Sequence, residues 1–322
     1  MTVADEGRGL GEQRWQGFEL PVLVIAFNRP ELLEQLVGRL REIQPSDVYI
    51  AIDGPRRERI GETEKVQACR DLIGKLDWDC TVHTLFREAN LGCGEGVSSA
   101  ITWFFQHVEA GIILEDDVIP DLSFFSFCQE LLDRYENDDR VFAISGCNFV
   151  PSSAQSHPND AYRFSRVAHI WGWATWRRSW ELYQLDLRGW RRELPSRDLW
   201  RSSGRSLSGS LFWAMTFEMM ARKQVDTWDA QLVFAAMKHD QLIATANVNL
   251  IENLGFGGDA THTLETVEIE PVGSVTLPTR RVPVEVDEQA DAWTRVHHFQ
   301  VTLPGIAHQA FNFATRKFRR AA

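Results

Sequence analysis

Three consecutive carboxylates, Glu115, Asp116 and Asp117, close the short apolar run Gly111-Ile112-Ile113-Leu114. Adjacent acids repel one another, and a divalent cation or a shared proton relieves that repulsion. Oxygen donors of this kind suit a hard ion such as Mg or Mn, which usually arrives with a substrate phosphate. The apolar run is short enough to be a buried strand. Open α/β sheets bind their ligands outside the carboxyl ends of such strands. The plainer account of the same residues is an acidic loop on a solvated edge.

A second cluster is aromatic. Of twelve tryptophans, six fall between Trp171 and Trp200. Large rings can build a core or offer a flat platform to a ligand. The spacing of Trp171, Trp173, Trp176 and Trp180 points to one ring at a ligand and the others inside. Gly172, between two of them, suggests close backbone approach to a neighbouring group. The segment Gly92-Cys93-Gly94-Glu95-Gly96 has the glycines of a loop that admits a ligand to the backbone.

The elements that must hold these residues alternate. Strands are expected at Val22–Phe27, Val48–Ile52, Thr81–Phe86, Ile112–Leu114 and Val141–Ser145, about 30 residues apart, with helical patterns between them. Right-handed crossovers then give a mixed, mostly parallel sheet with helices on both faces, an α/β fold. Beyond residue 150 the pattern loosens. Ala168–Tyr183 reads as a Trp-rich helix and 184–209 as a polar loop. Leu211–Arg222 and Asp229–Lys238 read as helices, Leu242–Val248 as a strand and Gly255–Thr263 as a Gly-rich loop. From Val267 onward the pattern alternates in a β-like way.

Bulk properties narrow the classes. The chain has 322 residues, 44% hydrophobic and 25% charged, with a net charge of −11. That charge argues against a general nucleic-acid binder, while local cations can still hold a phosphate. Five cysteines without a C-x-x-C pair favour a reducing compartment over a disulfide framework or a zinc site. Met1–Gly17 is polar and lacks a signal core. No apolar run reaches the roughly 18 residues a bilayer span needs. A cytoplasmic protein is the expectation. The basic, aromatic stretch 306–320 is a candidate for peripheral contact with the inner membrane face or, more ordinarily, for docking on protein. No G-x-x-x-x-G-K-[ST] motif occurs, and no G-x-G-x-x-G follows the first strand. That strand ends Ala26-Phe27-Asn28-Arg29, which also disfavours an aspartyl-phosphatase.

The ordered set Val22-Leu-Val-Ile-Ala-Phe-Asn-Arg29-Pro30, Asp53 after strand two, Leu114-Glu-Asp-Asp-Val118 and Pro120-Asp-x-x-Phe-Phe125 resembles GT-A-fold glycosyltransferases. The likeness is to the N-acetylglucosaminyltransferase I type and to bacterial glycosyltransferase-2-like proteins of the haemolytic-protein-like group. It continues through Val141–Asn148, Tyr162-Arg163 and Ile170-Trp171-Gly172-Trp173, fades near Gly255 and does not cover the last 50 or so residues. The resemblance implies a polar segment 1–19, a GT-A domain 20–263 (nucleotide half 20–150, acceptor half 151–263) and an extension 264–322. It implies a metal-dependent transfer of sugar from a nucleotide-diphosphate donor, a UDP-sugar by expectation, to an acceptor hydroxyl on a glycan, lipid-linked or protein acceptor.

The same resemblance assigns roles. Asp117 would ligate Mn (or Mg), with His262 as a second metal ligand or diphosphate contact. Phe27, Arg29, Asp53, Asn90, Gly92, Glu115, Asp116, Trp171, Gly172 and Trp173 would hold the donor. Asp229 would be the general base of an inverting transfer, with Asp226 in reserve. The family often shows a second acid beside the first, whereas position 230 is Ala. Each role has a structural competitor: a turn for Asp53, a solvated helix start for Arg29, a helix cap for Asp229. Two other functions share these residues. A sugar-phosphate nucleotidyltransferase would use the same sheet and acids, although the usual Gly- and Lys/Arg-rich loop after the first strand is absent. A non-catalytic carbohydrate binder would use the tryptophans.

Overall fold

The computed structural model describes residues 18–255, 270–277 and 280–301. Its described strands are β1 (Val22–Ala26), β2 (Asp47–Ile52), β3 (Thr81–Phe86), β4 (Ala110–Glu115), β5 (Val118–Pro120), β6 (Val141–Ser145), β7 (Tyr162–Ser165), β8 (Trp173–Trp176), β9 (Leu242–Ala246) and β10 (Ile251–Asn253). Eight form one sheet in the order β3-β2-β1-β4-β8-β6-β9-β7, and β10 pairs with β5 in a small antiparallel ribbon. Neighbours from β3 to β4 are parallel, as are β6 and β9. Strand β8 runs antiparallel between β4 and β6, and β7 antiparallel on β9. The fold is therefore mixed α/β with a large, mostly parallel sheet.

The helices explain why the central strands are apolar on both sides. α1 (Pro30–Ile43) starts with Pro at its first turn, where the missing N–H costs nothing. It buries Leu33, Leu36, Val37, Leu40 and Ile43, one stripe at helical spacing. With α2 (Glu62–Asp71) and α4 (Leu122–Arg134) it covers the face carrying Val22, Val24, Ile50 and Leu114. α3 (Gly92–Phe105) covers the opposite face, where Leu23, Ile25, Tyr49 and Ile113 meet Ile101 and Phe104. Every residue of β1 is buried, so its sequence shows no period-two alternation.

The second half departs from the sequence expectations. Ala168–Tyr183 is not one helix. Trp173–Trp176 is β8, and only Arg177–Trp180 (α5) is helical. A four-residue apolar segment buried on both faces has no periodicity to separate strand from helix. Residues 184–209 are not all loop. They contain α6 (Trp190–Glu193), α7 (Ser196–Ser202) and the start of α8 (Leu207–Ala221). These pack with α9 (Asp229–Lys238) around Leu187, Trp190, Trp213, Phe217 and Phe234, a third apolar cluster. Strand β7 has no counterpart among the expected strands. The β-like expectation after Val267 gives way, within the described part, to extended chain and a short helix, α10 (Glu288–Trp293). Asp287 and Asp291 tie this segment to the body through Ser156, Ser165 and the Arg166 amide.

Candidate functional site

The acidic triplet lies at the carboxyl end of β4, beside the end of β1. Ile25 pairs in register with Glu115, and the Asp116 amide donates to the Ile25 carbonyl at 3.0 Å. The chain turns from β1 into α1 within three residues, Phe27–Arg29. Arg29 stands at the N-cap position, where its side chain makes no cap bond. It reaches back to the acids instead. Its guanidinium donates to Asp116 and, at 2.8 Å, to Asp117. Two carboxylates thus converge on one positive centre.

That convergence sets the electrostatics. Burial works against the Arg29 charge, but Asp116 and Asp117 outweigh it and hold the proton more firmly than usual. Asp116 is 2% exposed; burial pushes its carboxyl up to about 6 against the pull of Arg29. Burial, then the Asp117 and Asp116 charges, push Glu115 up to about 8. One guanidinium cannot neutralise three acids.

Glu115 and Asp116 line a cleft of about 640 Å³, and Asp117 reaches it through Arg29. Phe27, Arg29, Asp53, Asn90, Gly92, Glu115, Asp116 and Asp226 all line it. Seven of the ten expected donor contacts therefore share one cavity. Sequence reasoning missed its cationic rim: Arg56, Arg59, Lys65 and Arg87. The signal available was the Arg56-Arg57 pair directly after the Asp53-Gly54-Pro55 turn. Arg56 sits 5.4 Å from the Phe27 ring centroid and pairs with Glu62.

Several expected residues do other work. Asp53 accepts from the amides of Gly54 at 2.9 Å and Leu91 at 3.0 Å, and from the Asn90 side chain at 2.9 Å. It closes the β3–α3 connection. Burial raises its pKa, partly offset by those bonds. Gly92–Gly96 is not a loop but the first turns of α3. Asp226 accepts from the Cys93 and Gly94 amides, both at 2.9 Å, and so satisfies the amino end of α3 from 132 residues away. A carboxylate there also suits the helix dipole. Gly92 has φ +82, and a Cβ would meet the Asp226 carboxylate at 2.4 Å. Asp226 therefore acts as a strut at the amino end of α3.

The tryptophans divide. Trp173 is 2% exposed and stacks on Trp228 at 5.8 Å, so it is core and does not face a ligand. Gly172 has φ +65, and the group a Cβ would strike at 2.3 Å is the Ile251 side chain, not a donor sugar. Trp171 lines a different cavity, of about 420 Å³, built by Phe149, His169, Phe212, Trp213, Met219 and others.

Thr227 and Asp229 border this second cavity, while Asp226 borders the first. Trp228 is buried beneath them. The segment is a partition between two pockets. Asp229 lies in the first turn of α9 and is exposed. It accepts from the Thr227 hydroxyl at 2.6 Å and the Ala230 amide at 2.7 Å through one oxygen, Oδ1. Its charge is felt by Glu115, Cys93 and Tyr183.

A divalent ion is compatible with this donor set. Asp116 and Asp117 each direct an oxygen to the Arg29 guanidinium, one to each terminal nitrogen. No cluster of three metal-ligating residues occurs among the described residues. An ion here would take its remaining ligands from phosphate oxygens and water, as Mg commonly does. His262, Asp259 and the basic 306–320 stretch lie outside the described residues. No described helix is long and apolar enough to cross a membrane. The five cysteines are unpaired.

No family model matches the chain. Among solved structures, HddC from Yersinia pseudotuberculosis overlaps 49% of this chain and 77% of its own, at 9% identity and a TM-score of 0.31. The same protein complexed with GMP-PN gives the same coverage, 8% identity and 0.32. Apo-UDP-glucose pyrophosphorylase overlaps 71% of this chain and 90% of its own, at 8% identity and 0.36. At these identities and scores the site stands on its own residues.

Proposed function

We propose that this chain is a GT-A-type glycosyltransferase that binds a nucleotide-diphosphate sugar, a UDP-sugar by preference, in the charged cleft. The observation that carries the reading is the partition. An exposed carboxylate, Asp229, stands between a cleft with acids and cations and a second pocket with neither diphosphate-binding acids nor cations. Transfer between two substrates needs that arrangement.

Donor binding uses the cleft. Arg56, Arg59, Lys65 and Arg87 supply positive charge, and Phe27 offers a ring face. Asp117, with Asp116, would hold Mn or Mg, whose Lewis acidity would ease departure of the nucleoside diphosphate. An ion held by these two acids would compete with Arg29, which also lines the cleft. The acceptor hydroxyl enters from the second pocket. Asp229 takes its proton as the acceptor oxygen bonds to the anomeric carbon. The bond from that carbon to the diphosphate breaks, and its electron pair leaves on the nucleotide. Attack from the face opposite the diphosphate inverts the centre.

Sugar-phosphate nucleotidyl transfer is the second reading. What favours it is the row of rim cations, enough for a triphosphate. The direct β1-to-α1 turn leaves no room for a phosphate-wrapping loop, which favours glycosyl transfer. The products separate them: one releases a nucleoside diphosphate, the other consumes a nucleoside triphosphate and releases pyrophosphate. Calorimetry with UDP, with and without Mn, tests the first reading. Binding that ignores Mn, or that survives Asp117→Ala unchanged, sinks it.

A further inference from the structure

We propose that the pocket beside Asp229 accepts an uncharged acceptor whose hydroxyl is carried on an aromatic or alkyl body. This rests on the glycosyl-transfer reading and names the acceptor class for it. The cavity, about 420 Å³, is within the range of small-molecule sites. Its walls are mainly rings and thioethers, among them Phe149, Trp171, Phe212, Trp213 and Met219, and its two hydroxyls, Thr216 and Thr227, already donate to the Phe212 carbonyl and to Asp229. The Phe212, Trp213 and Phe299 rings pack with centroids 5.1 to 5.6 Å apart, which fixes their faces. Met219 is the adaptable element.

Charge narrows the class. No Lys or Arg lines the pocket among the described residues, and its one carboxylate is Asp229. The two lining imidazoles add no positive charge. Burial pushes His298 down to about 4, and burial with the His298 and Arg163 charges lowers His169 well below the usual range. A phosphate-bearing acceptor would be desolvated against a carboxylate with no cation to compensate. A bare sugar would leave hydroxyls unpaired against apolar walls. An acceptor with an apolar body satisfies the walls and leaves its hydroxyl to Asp229, the one anionic acceptor among the described lining residues.

The test is calorimetry on the full chain with phenyl β-D-glucoside, glucose and glucose 6-phosphate. Phenyl glucoside should bind on the order of 10-fold more tightly than glucose, from burial of its ring. Glucose 6-phosphate should gain nothing over glucose. Met219→Glu, and Val225→Glu on the rim, should each abolish the phenyl preference. Equal affinity for glucose and phenyl glucoside overturns the proposal, as does a phenyl preference that persists in both folded variants. UDP binding is measured in the same samples. Its absence overturns the donor reading independently of the phenyl preference, and its retention in the variants shows the charged cleft intact.

Discussion

The two pockets on either side of Asp226–Asp229 are built from opposite materials. The cleft at the ends of β1, β2 and β4 collects charge: Glu115, Asp116, three further carboxylates, Arg29 and four rim cations. The pocket against α8 and α9 collects rings and, among the described residues, one carboxylate. The first is hung on regular β–α units whose strand ends deliver side chains to one edge. The second is made by helices packing on helices far from that repeat. A chain that joins a diphosphate to an apolar body needs both, because one solvent-like site cannot favour both substrates.

The largest effect should come from the residue between them. Asp229→Asn keeps the Thr227 and Ala230 contacts and removes the base, so glycosyl transfer should fall by roughly 10²–10⁴-fold. UDP binding in the cleft should not change. A variant that transfers at the original rate would show that the partition carries no base.

Asp226→Ala tests whether the partition is anchored. It leaves the Cys93 and Gly94 amides without their carboxylate and should cost about 0.5–2 kcal/mol, the usual cost of a lost helix cap. Urea unfolding reads the stability. Transfer should fall more than UDP affinity if the strut also sets the position of Asp229. Unchanged stability would mean water replaces the carboxylate without cost.

A third effect is titration of the charged side alone, which leaves the partition untouched. Glu115 is pushed up to about 8 in the fold against an ordinary value of 4.5, and Asp116 up to about 6 against 3.8. The folded chain therefore keeps protons that the unfolded chain has already lost. This contribution is fully present below the unfolded values and is lost as pH rises through about 6 and then 8. Metal-free protein should show a falling melting temperature from pH 5.5 to 8.5, and Glu115→Gln should flatten the upper part of that fall. A steeper fall in the Gln variant would contradict this assignment.

How far the sequence led differs between the two pockets. The starts of β1, β2, β3, β4 and β6 followed from apolar runs at regular spacing, and the acids from their place after β4. Strand β8 did not follow, because Trp173–Trp176 is buried on both faces and carries no period. Nor did α6 and α7, whose short polar segments are helical only where Trp190 and Leu199 reach the third cluster. The ten donor contacts were proposed as one set. The fold gathers seven, gives Trp171 to the second pocket and turns Gly172 and Trp173 inward.

The sequence by itself determined what is local: apolar runs long enough for strands, amphipathic spacing for helices, and three acids too close together to be stable unpaired. Those depend on neighbours within a turn or a strand. Only the tertiary structure decided which acid caps a distant helix and which does not. Asp226 and Asp229 are three residues apart and chemically identical. One is spent on amides 132 residues distant, and the other keeps an oxygen free of those bonds because helix α9 begins beneath it.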